Sequence, residues 1–202
     1  MEYRALRGRG KTAPAEGEDS TGTVWDRLWT ASDRIAGAGL FIIDNPTLSL
    51  AELRTHARKL KAEGGLDLIV IDYLQLMQAP LDQPWSANRT YQVSEISRGL
   101  KALARELDVP VLALSQLSRS VETRQAKRPM LSDLRESGSL EQDADIVMFL
   151  YREDYYKDAE EDPTRLTELI VAKHRNGPTG RIELFFEDTF TKFIGLNDAD
   201  AI

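Results

Sequence analysis

Along this chain of 202 residues, short unbroken apolar runs take turns with stretches in which apolar side chains return every three or four positions. Leu68–Ile71, Val111–Leu114, Ile146–Tyr151 and the run starting at Leu169 are continuous, not alternating. Such runs suit buried strands covered on both faces. Between them, Leu53, Ala57 and Leu60 form one inward stripe, and Val93, Ile96, Leu100, Leu103 and Leu107 form a longer one. Both predict amphipathic helices. Ser49, with Glu52 at the third helical position, is a capping box that fixes where the first of these starts, and Gly64 stops it. Val24–Ile35 predicts a further helix, ended by Gly37 and Gly39, and Leu40–Asp44 a compact strand stopped by Asn45 and Pro46. Strand, helix and strand in succession imply a right-handed parallel unit. Arg181–Glu187 and Phe190–Ile194 read as a closing antiparallel hairpin around Asp188 and Thr189. The pattern therefore predicts an α/β fold, a mostly parallel sheet flanked by helices with a C-terminal antiparallel hairpin.

Composition narrows the class. The length fits one domain or a large part of one, and 42% hydrophobic with 29% charged residues marks a globular chain. No apolar run approaches the roughly 20 residues of a membrane span. With no cysteine there is neither a disulfide framework nor a thiolate metal site, and the cytosol is the expected compartment. A net charge of −7 argues against coating nucleic acid by bulk charge, so any such contact must be local. His56 and His174 lack neighbours at metal-ligand spacing and read as ordinary residues.

The strand ends carry the candidate chemistry. Asp72 follows Leu68–Ile71 at the carboxyl end of a predicted parallel strand, where such sheets bind ligands. One reading makes it the carboxylate of a phosphate-bound Mg²⁺, which needs only one or two such ligands; the other makes it a turn cap. Ser115 and Gln116 end the next strand at the same edge. Ser118–Ser139 is the local basic segment, with Arg119, Arg124, Lys127, Arg128 and Arg135 among serines and a glycine. It suits a polyanion backbone, although the segment by itself favours a solvated mobile loop. Lys173 and Arg175, at alternate positions before a Gly/Pro turn, project to one side. Residues 5–12 end in Gly-Lys-Thr, yet Ala5 stands where a P-loop needs its first glycine, and no buried strand precedes it. Residues 1–23 read as a basic, linker-like segment instead. The loop 78–89, with two prolines and Trp85, and the acidic stretch 153–163 are further irregular segments.

Taken together, LIVIDYLQLM, ALSQLSR, KRPMLSDLRESGSLEQDADIVMFLYR and AKHRNGPTG, in this order and spacing, closely resemble the carboxyl-terminal motor domain of DnaB-type replicative DNA helicases. The resemblance covers about Leu40–Phe193. It implies a RecA-like fold that assembles as a homo-hexameric ring on single-stranded DNA, hydrolyses ATP with Mg²⁺ between subunits, and works in the cytoplasm with a primase and a helicase loader. By the same resemblance Asp72 is the acid that holds Mg²⁺, through water, and Gln116 senses the γ-phosphate. Arg135, Glu136 and Gly138 line the channel and grip DNA. Lys173 and Arg175 reach into the neighbouring subunit's site, as an arginine finger does. Six copies of one small basic loop would concentrate positive charge in the channel while the exterior stays acidic.

The family's P-loop, its preceding strand, its catalytic glutamate and its amino-terminal collar have no counterpart in these residues. The expected organisation is a linker over 1–23, a partial motor domain over 24–195 and a tail over 196–202. A truncated gene, a split gene or an intein-interrupted product would each give such a chain. Two further readings stand beside the helicase. One is a non-catalytic RecA-like module that binds DNA or a ring, and the other is a strand-exchange recombinase, which the RESGS and NGPTG segments fit less well.

Overall fold

A computed structural model describes residues 20–78, 88–153 and 165–196, the side chains of 20–23 and 135–138 excepted. The Gly-Lys-Thr stretch, Trp85, most of the acidic insert and most of the tail lie outside the described residues. The chain divides at Pro46 into two units.

In the first unit, helix α1 spans Ser20–Ala36 and therefore begins inside the segment expected to be linker. It stops before Gly37 and Gly39, and Gly39 takes the left-handed conformation (φ +64) that glycine allows. Leu40–Asp44 is not a strand. This corrects the sequence expectation, and the reason is that an apolar run becomes a strand only when a ladder pairs its backbone. Leu40, Phe41 and Ile42 are accordingly exposed.

The second unit opens on the capping box that Ser49 and Glu52 predicted. Ser49 Oγ accepts from the Glu52 backbone N–H (3.2 Å) while Ser49 N donates to Glu52 Oε2 (2.9 Å). Two otherwise orphaned donors are satisfied. Helix α2 (Leu50–Glu63) runs from there to Gly64. Strand β1 (Ile69–Ile71) pairs in parallel with β2 (Val111–Ala113), Ile71 opposite Ala113. Helix α3 (Arg89–Leu107) connects them, capped by Asn88 at its start and by Asp108, in the left-handed region, at its end. The core forms where the predicted stripes meet: Leu53 and Ala57 of α2, Ile69 and Ile71 of β1, and Ile96, Leu100 and Leu103 of α3.

Beyond β2 the segment expected to be irregular is ordered. It forms a short helix α4 (Ser120–Thr123), a 3-10 segment Leu131–Ser137 and helix α5 (Gly138–Asp143). Strands β3 (Ile146–Arg152), β4 (Leu166–His174), β5 (Gly180–Glu187) and β6 (Lys192–Gly195) then make an antiparallel sheet in sequence order. The β5–β6 hairpin turns at the expected place. The antiparallel part is wider than that hairpin, since β3 and β4 also join it.

Among the described residues, each sheet leaves part of one face exposed. In β3, Val147 and Phe149 pack with Leu134 in a second core, while Met148 (46% exposed) and Leu150 (55%) face outward. Leu150 pairs with the half-buried Leu169, and Leu169 with Ile182, which is 54% exposed. On β1 and β2, Val70 (56%) and Leu112 (43%) are bare in the same way.

Candidate functional site

The parallel register sets the first part of the site. Asp72 directly follows Ile71 and Gln116 lies shortly after its partner Ala113, so both leave the same edge of the β1–β2 sheet. Both are exposed. After Asp72 the chain turns at once into a 3-10 segment, Leu74–Leu76, which buries Leu74. The Leu74 N–H donates to Leu114 O at 2.9 Å, tying that turn to the end of β2.

Gln75 completes the tie. Its Nε2 donates to Ser115 Oγ (3.0 Å) and to Gln116 O (3.4 Å), and its Oε1 accepts from Gln116 N (3.2 Å). Arg89, at the start of α3, donates to Gln75 O from the other side. Gln75 therefore fixes the backbone that carries Gln116 at the edge Asp72 also leaves. Sequence reasoning missed this residue. The available signal was a lone amide side chain between Leu74 and Leu76 at a strand's carboxyl end.

The basic segment is less free than its sequence implies. Arg124 donates to Asp133 Oδ2 at 2.6 Å, and Asp133 is buried, also accepting from Met130 N (2.8 Å). Arg128 ion-pairs with Glu168 of β4 and lies over the Tyr151 ring. These two arginines hold the segment in place. The backbone of Arg135, Glu136 and Gly138 lies where the 3-10 segment passes into α5, and their side chains are outside the described residues.

Lys173 and Arg175 do come to one side, and they meet an intrachain partner there. Lys173 Nζ donates to Glu141 O (2.6 Å) and Gln142 O (3.3 Å) at the carbonyl end of α5. Arg175 Nη2 donates to Gln142 O (3.3 Å), and its Nε lies 3.5 Å from Asp145 Oδ1. The turn beyond them depends on His174 and Gly177: a Cβ on Gly177 would sit 2.9 Å from the His174 ring. The His174 Nδ1 also accepts from the Asn176 N–H at 3.3 Å.

For a divalent cation the donor set is sparse. No group of three His, Cys, Asp or Glu side chains gathers among the described residues. A protein-only cage is therefore not formed among them. The exposed Asp72 carboxylate fits the other arrangement, one acidic contact to a phosphate-bound Mg²⁺ that keeps its waters. No described helix is long and apolar enough to cross a membrane.

The parallel β1–β2 unit, its helices and the polar strand ends define an α/β domain of RecA-like architecture. Residues 12–195 match the family of the DnaB-like helicase C terminal domain. The chain belongs to that family. It is 56% identical to the replicative DNA helicase DnaB of Geobacillus stearothermophilus over 85% of the chain and 37% of the relative. It is 54% identical to the replicative DNA helicase DnaC of Bacillus subtilis (strain 168), over 85% and 37%. Among solved structures, one ATPase domain superposes with a TM-score of 0.76 at 48% identity, over 85% of this chain and 60% of that one. A DnaB-like replicative helicase, described with its interactions with primase, gives 0.75 at 48% identity, over 85% and 41%. The chain thus spans little more than a third of the length of the two curated relatives.

Proposed function

We propose that these residues form the C-terminal part of an ATP-dependent replicative DNA helicase motor, one that translocates on single-stranded DNA as a hexameric ring and unwinds duplex in the cytoplasm. The observation that carries this is the parallel pairing of Ile71 with Ala113, which delivers Asp72 and Gln116 to one sheet edge in a chain of this family. Asp72 holds Mg²⁺ through water, and Gln116, set by Gln75, meets the γ-phosphate. Arg135, Glu136 and Gly138 meet the DNA backbone, where contacts position without reading sequence. Lys173 and Arg175 serve the phosphates of a neighbouring subunit, stabilising charge as it develops. A primase and a helicase loader are the partners, in keeping with the primase interactions of one structural relative.

The test joins the chain to the amino-terminal remainder of the Geobacillus relative and follows unwinding of a forked duplex with Mg²⁺ and ATP. Unwinding that Asp72→Ala and Arg175→Ala each abolish is expected. Mixed rings of the two variants should regain some hydrolysis, because some interfaces then hold both groups intact. A joined protein that forms rings and binds DNA without hydrolysing ATP would instead establish a non-catalytic module. That second reading draws on one observation, the engagement of Lys173 and Arg175 within their own chain.

A further inference from the structure

Helix α5 lies between the two features to which the proposed function gives different tasks. It starts at Gly138, in the segment read as meeting DNA, and Glu141 and Gln142 lie in its last turn, which ends at Asp143. A helix end leaves such carbonyls without intrahelical donors, and a cation there also suits the helix dipole. Lys173 and Arg175 supply both. A register shift between Val147 and Met148 sits directly opposite, since Val147 pairs with Lys173 but Met148 with Val171, leaving Ala172 of β4 over. Bulges of this kind re-aim neighbouring side chains.

Asp145, two residues after α5, ties the arrangement together. Its carbonyl accepts from Arg175 N at 2.8 Å, and its carboxylate faces Arg175 Nε while ion-pairing with Lys101 of α3. On the other flank Ser97 Oγ of α3 donates to Asp143 Oδ2 at 2.7 Å. The last turn of α5 is therefore held from α3 and in turn holds the cations of β4.

We propose that Asp145 is a positioning residue for Arg175, and that the carbonyl end of α5 sets both Lys173 and Arg175 according to how α5 is held at Gly138. A six-residue helix is a short rigid strut, about 9 Å long. Displacing its start displaces the carbonyls that Lys173 and Arg175 grip. The inference rests on the proposed roles of those two features.

Two measurements test it. In the chain itself, phenylglyoxal modification of Arg175, followed by mass spectrometry, should be several-fold faster in Asp145→Asn than in the parent and slow again in Asp145→Glu. Lys101→Met loosens the same aspartate but keeps its carboxylate, and should raise the Arg175 rate less than Asp145→Asn does, which separates positioning from general loosening. In the joined protein, Asp145→Asn should lower kcat in the presence of an oligothymidylate roughly tenfold, as misplacement of an acting group does, with KM within about twofold. Asp145→Glu should recover most of it. If Arg175→Ala abolishes hydrolysis while Asp145→Asn leaves kcat at the parent value, the positioning role is overturned, whatever the labelling shows. If Arg175→Ala leaves hydrolysis intact, the proposed role of Arg175 fails first and takes this inference with it.

Discussion

Gly99 of α3 lies against Leu50 of α2 so closely that a Cβ on Gly99 would sit 2.0 Å from Leu50 Cδ2. The two helices meet at a position where α3 carries no side chain. Alanine is better than glycine in a helix interior by about 1 kcal/mol, whereas overpacking a core costs about 1–3 kcal/mol. Leu50 Cδ2 is the end of a half-buried side chain that must turn aside, so Gly99→Ala is expected to be less favourable with Leu50 present than in a Leu50→Ala background, where it is stabilising. Urea titrations of the four proteins in that cycle check it. Equal effects in both backgrounds would mean that the contact does not constrain the helix pair.

Asp133 is 3% exposed and holds both Arg124 and the Met130 N–H. Asp133→Ala strands a guanidinium that is 29% exposed. Breaking one side of a buried pair costs about 3–5 kcal/mol, and partial solvation of Arg124 puts the expected loss near or below the bottom of that range. Arg124→Met leaves the Asp133 carboxylate, 3% exposed, without its cation, and the Met130 N–H offsets only part of that, so it should cost at least as much as Asp133→Ala. Denaturant midpoints for the two variants give the comparison, and Arg124→Met no more stable than Asp133→Ala is the expected result.

The hydrogen bond from Arg58 holds the Glu106 carboxyl below its ordinary value of 4.5. Lys101 does the same for Asp145, and Ser49 for Glu52. A depressed carboxylate stabilises the fold above its unfolded value and loses that contribution as the pH falls through the lower folded value. Stability from these groups should be level near neutrality and decline below about pH 4.5. Glu106→Gln should make the decline shallower, and added salt should shrink the difference because the pair is at the surface. Thermal midpoints of parent and variant from neutral to acid pH measure this; parallel curves would count against a contribution from Glu106.

These residues alone are expected to bind a Mg²⁺ triphosphate weakly. The main attraction in such sites is a row of backbone N–H donors at a helix start together with a lysine. In the proposed roles, Asp72 and Gln116 supply only a Mg²⁺ contact and a γ-phosphate contact, which do not replace those donors. Calorimetric titration should find no saturable binding until the amino-terminal remainder of a relative is supplied. Micromolar binding by the chain alone, abolished by Lys11→Ala, would instead make Gly10, Lys11 and Thr12 a working phosphate loop.

What was readable in the sequence was local. Ser49 and Glu52 announced the start of α2 because a capping box needs only its own turn. Val93 to Leu107 announced α3 because the stripe repeats at the helical period. Asp72 and Gln116 shared an edge because both follow strands that run parallel. The remainder depended on partners distant in the chain. Leu40–Asp44 has the composition of a strand and, among the described residues, no ladder to join. Arg124 and Arg128 look like free cations until Asp133 and Glu168 are brought beside them. Lys173 and Arg175 look outward-pointing until α5 is placed under them, and Gln75 is silent until β2 ends against it.

The bare side of the two sheets has a consequence for the life of the chain in a cell. Val70, Leu112, Met148 and Leu150 lie on sheet faces left open among the described residues, where β2 and β3 are each paired on one edge only. Unpaired edges and bare apolar faces are the features that recruit other strands and signal incomplete folding. Made on its own, the chain would be a client for chaperones and proteases, and its abundance would be set by how fast a covering polypeptide reaches it. The same surfaces would then act as a quality-control tag, erased only on assembly.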